Sequence, residues 1–63
     1  MSKEDREMWR INIENSTDTV NKIYGPKVAT SVFHRYGATS FDNLSPSYYW
    51  EVFSDLELIA NDK

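Results

Sequence analysis

Few residues in this chain could do acid–base or metal chemistry. There is one histidine, His34, and the carboxylates Glu51, Asp55 and Glu57 form a short run near the C-terminal end. Histidine is the side chain whose free pKa lies nearest neutrality, so it is the first candidate for a general base. A base needs a nucleophile to serve, and no serine is spaced to meet His34, while cysteine is absent altogether. Helical projection puts His34 beside Lys27 and Arg35, away from the apolar stripe of its own segment, which reads as a solvated surface position. The three carboxylates fall on the outer surface of a predicted helix. Paired carboxylates catalyse only where a pocket drives their pKa values apart. A chain of 63 residues seldom encloses the ~300 Å³ or more that a ligand needs. Gly25 and Gly37, the only glycines, stand at predicted helix ends and form no phosphate-cradling loop. The expected reading is a protein that is not an enzyme, with no cofactor, no metal site and no small-molecule substrate.

The aromatic run Tyr48-Tyr49-Trp50 poses a different chemical question. Successive aromatics can stack nucleic-acid bases, but stacking platforms line positively charged grooves. Residues 38–63 carry Lys63 against Asp42, Glu51, Asp55, Glu57 and Asp62, a sum of −4, while residues 1–37 carry six bases and five acids. No basic stripe is evident, and phosphate neutralisation supplies most of the affinity of a nucleic-acid binder. Consecutive helical residues also point ~100° apart and cannot form one platform. A direct nucleic-acid role would need Arg10, Lys22, Lys27 and Arg35 to converge in space. Packing explains Tyr48 and Tyr49, and Trp50 falls at the edge of the apolar arc.

The elements that position these residues are helical. Ser2 is a good N-cap, with Glu4 and Asp5 complementing the positive end of a helix. Trp9, Ile13, Val20, Ile23 and Tyr24 share one face, within about 100° on the wheel, with Ser16 and Thr17 as a polar waist. Asn15-Ser16-Thr17 is a poor helix interior and could start a second helix. The unbroken apolar phase favours one helix over 3–24. The same triplet matches a glycosylation sequon, which has no meaning without secretion.

Gly25 suits a left-handed stop and Pro26 the first turn of a second helix over 26–36, with Val28, Ala29, Val32, Phe33 and Tyr36 facing inward. Gly37 ends it. The nine-residue connection 37–45 holds Phe41 and Leu44 as apolar plugs, with one helical turn expected at 41–43. Ser45-Pro46 repeats the cap-and-proline signal for a third helix over 46–60, whose inner face carries Tyr48, Tyr49, Val52, Phe53, Leu56, Ile59 and Ala60. The prediction is an all-α, three-helix bundle forming a single domain over 1–63. The connection is too long for the turn of a helix-turn-helix motif.

No apolar run reaches the ~18 residues that span a membrane. The charged start, Met-Ser-Lys-Glu-Asp-Arg-Glu, lacks the apolar segment of a signal peptide, and the chain reads as cytoplasmic. The initial Met1 fits a complete gene product.

Four apolar residues lie off the stripes: Met8 and Ile11 on the first helix, Trp50 and Leu58 on the third. The connection could cover part of Met8 and Ile11. Tryptophan and methionine are enriched where proteins meet, so these four are the candidate partner-binding residues, with Glu51, Asp55 and Glu57 as an acidic surface beside them. The expected function is a small protein–protein interaction module that binds a protein partner or a second copy of itself. The alternative is an acidic inhibitor, a nucleic-acid mimic that blocks a host nucleic-acid-binding protein.

Residues 32–49, Val-Phe-His-Arg-Tyr-Gly-Ala-Thr-Ser-Phe-Asp-Asn-Leu-Ser-Pro-Ser-Tyr-Tyr, followed by Glu51-Val52-Phe53-Ser54-Asp55-Leu56, resemble a short uncharacterised helical module. Such modules occur in phage and conjugative-element proteins of Gram-positive bacteria. The resemblance covers residues 24–60 and rests on Tyr36-Gly37-Ala38, Leu44-Ser45-Pro46 and the aromatic pair Tyr49 and Phe53. These are caps, stops and core positions. The resemblance implies an accessory protein of a mobile element and attaches no activity to it.

Overall fold

Ser2 accepts a hydrogen bond from the Asp5 N–H at 3.2 Å and so caps α1 (Lys3–Tyr24). The computed structural model describes residues 2–62. After α1 come α2 (Pro26–Arg35), single 3-10 turns at Phe41–Asn43 and Pro46–Tyr48, and α3 (Tyr49–Asn61). The described residues form an all-α three-helix bundle, as the hydrophobic spacing predicts. No helix among them is long and apolar enough to cross a membrane. α1, with 22 residues, is ~33 Å long at 1.5 Å per residue and by itself sets the 34 Å long axis.

α1 is unbroken at Asn15-Ser16-Thr17. The Thr17 and Thr19 hydroxyls donate back to the carbonyls of Ile13 and Asn15, at 2.8 and 3.1 Å, so both are satisfied within the helical conformation. Gly25 then reverses the chain with φ 86° and ψ 169°. That is a glycine-only region of backbone space but not the left-handed helical stop the sequence suggests. Its N–H still closes α1 on the Asn21 carbonyl at 2.9 Å.

At the end of α2, Gly37 does take a left-handed stop, φ 75°. Ala38 N–H donates to Phe33 O and Gly37 N–H to His34 O, each at 3.1 Å, the paired bonds of a Schellman cap. Ala38 and Phe33 are both buried, supplying the apolar contact that accompanies such caps. Asn43 then folds its side chain back to accept from the Thr39 and Ser40 N–H groups, at 3.0 and 3.2 Å, which tightens the connection.

The buried core is Ile13 and Val20 of α1, Ala29, Val32 and Phe33 of α2, Ala38, Phe41 and Leu44 of the connection, and Tyr49, Val52 and Leu56 of α3. Phe41 and Leu44 therefore act as the plugs expected of them. Several expectations need correction. Ile23, Tyr24 and Tyr48 are substantially exposed: Ile23 and Tyr24 lie at the rim in the last turn of α1, where the Tyr24 hydroxyl donates to the Asp62 carbonyl, and Tyr48 stands in the turn before α3. Ser45-Pro46 opens a 3-10 turn and the α-helix starts only at Tyr49. The Ser45 hydroxyl lies 3.0 Å from that of Ser47 and caps nothing.

α1 and α3 run parallel, with Trp9 beside Trp50, Ser16 beside Glu57 and Tyr24 beside Asp62. α2 runs antiparallel between them in sequence. This arrangement gives α1 two flanks with different neighbours.

Candidate functional site

Trp9 is the root of the site. It is half-buried on α1, and its ring meets three rings of α3: Tyr49 at 6.1 Å, Phe53 at 6.0 Å and Trp50 at 6.4 Å between centroids. The contacts with Phe53 and Trp50 are edge-to-face, at 70° and 71°, the arrangement that aromatic quadrupoles favour. Tyr49 is the buried member and stacks on Phe41 at 4.8 Å, while its hydroxyl has no hydrogen-bond partner. Trp50 is the outer member, 62% exposed, and lies 6.2 Å from Phe53. A tryptophan held by two neighbouring rings with most of its surface in water is a rigid apolar projection.

The other apolar positions divide. Met8, 63% exposed, lines a shallow hollow with Asp5, Trp9 and Asn12, so it borders the same Trp9 that supports Trp50. Ile23, 54% exposed, continues that flank of α1 four turns further along. Ile11 and Leu58, 56% and 70% exposed, project from the solvent sides of α1 and α3, ~60° and ~80° away from Met8 and Trp50 on their own wheels. The structure thus joins Met8 and Trp50 through Trp9 and leaves Ile11 and Leu58 apart. Trp9 and Ile23 complete the surface, and sequence periodicity placed both in the core. Their place at the rim is set by which helix lies next to which, and the phase of one helix does not contain that.

The connection does not cover Met8 or Ile11. It docks on the opposite flank of α1, where the Arg6 and Arg10 guanidinium groups lie over the Phe41 ring at 5.5 and 5.2 Å. Arg10 also donates to Asp42 Oδ1 at 3.2 Å and lies within 4.0 Å of Glu7 and Glu14. Arg10 is committed to these contacts, and Lys27 and Arg35 belong to α2.

The acidic trio does not form one surface. Glu57 turns toward α1 and accepts a 2.9 Å hydrogen bond from Ser16, the polar waist of the core. Asp55 turns toward α2 and accepts a 2.7 Å bond from the Tyr36 hydroxyl. That bond, aided by desolvation and the negative charges of Asp55 and Glu51, raises the Tyr36 pKa above its ordinary 10.0. Glu51 alone is freely exposed. Residues 55 and 57 sit ~200° apart on a helix, so the correction follows from elementary geometry.

His34 faces solvent in an open hollow with Pro26, Lys27, Thr30 and Ser31. The Thr30 and Ser31 hydroxyls donate to the carbonyls of Pro26 and Val28 and are not turned toward the imidazole. No group of three or more metal-binding side chains gathers among the described residues.

Fold and surface together define a class: a small all-α chain whose most distinctive exposed feature is an aromatic flank between two parallel helices. The chain matches no protein-family model, no curated protein and no solved structure.

Proposed function

We propose that the protein is a non-enzymatic interaction module that uses the α1/α3 flank to bind another protein chain. The observation that carries this is Trp50, mostly exposed yet braced by Trp9 and Phe53. A pre-ordered tryptophan loses little conformational entropy on binding, and such anchors dominate the energetics of interfaces. Met8 extends the apolar area with a flexible, polarisable side chain suited to an irregular partner surface. The resemblance of residues 24–60 to mobile-element modules supports an accessory role in such an element, with a cytoplasmic setting. The mimic reading is weaker, since Asp55 and Glu57 are hydrogen-bonded inward on opposite sides of α3 and form no row of phosphate-like charges.

Photo-crosslinking tests the proposal. A benzophenone amino acid replaces Trp50 in one variant and His34, on the polar face of α2, in another. Adducts to a discrete set of proteins, or to a second copy, are expected from position 50 alone. Equal labelling from both positions, or none from either, would sink it. The Trp50→Ala chain should lose these associations while keeping its helical circular dichroism.

A further inference from the structure

We draw no further inference here: the strongest candidate, the exposed flank of Met8, Trp9 and Trp50 between α1 and α3, carries nothing beyond the interaction reading above, because nothing in the structure shows what covers it.

Discussion

α1 has two flanks, and they are finished differently. On one, the connection seats Phe41 and Leu44 in the core, two arginines cover the Phe41 ring, and Asp42 ties down Arg10. On the other, α3 packs its inner rings against Trp9 and stops, leaving Trp50, Met8 and Ile23 in water. The helix is the same, but it presents Arg6 and Arg10 to the first flank and Met8, Trp9 and Ile23 to the second. Only the first flank also has a covering segment. A domain of about 60 residues buries only ~60% of its unfolded surface, so a chain this short has enough connection to close one side.

The comparison can be broken most severely from beneath. Leu56 is fully buried under both flanks, and Leu56→Ala should cost about 2–5 kcal/mol, close to the whole ~3–5 kcal/mol available to so small a core. A thermal melt by circular dichroism should lose its folded baseline. Phe41→Leu keeps an apolar plug but removes the ring that the arginines cover, with an expected loss of about 1–2 kcal/mol in urea unfolding. Trp50→Ala, on the open flank, should cost about 1 kcal/mol or less, since it removes ring contacts without opening the core. A Trp50→Ala loss as large as that of Leu56→Ala would show the two flanks to be equally structural.

The smallest effect is confined to alkaline pH. Because the folded Tyr36 pKa lies above the ordinary 10.0, the bond to Asp55 contributes fully below that value and is lost as pH rises through the folded pKa. Wild-type stability should therefore fall in that window, and the Tyr36→Phe chain should fall less. Parallel pH profiles of the two melts would contradict the assignment.

Element spans were legible because each depends on near neighbours. Ser2, Pro26 and Gly37 mark ends, and the phase through Ile13 and Val20 carries α1 across an unfavourable triplet. Phe41 and Leu44 were legible as plugs because two large apolar residues in a polar loop have nowhere else to go. What remained hidden depends on helix-to-helix neighbours. Ile23 and Tyr24 share the core phase but stand at its rim in the last turn of α1, and Glu57 looks like surface until Ser16 is placed beside it. In the candidate site, Met8 and Trp50 could be picked out as misfits, but their link through Trp9 could not.

Ser16 and Glu57 meet across 41 residues of chain, and Trp9 and Trp50 meet by the same alignment of α1 with α3. No fragment lacking either helix contains the surface, and neither does an unfolded chain. A partner gripping both tryptophans would therefore discriminate by conformation as well as by composition, ignoring nascent or cleaved chains. Occupancy of the flank would report that the protein is whole.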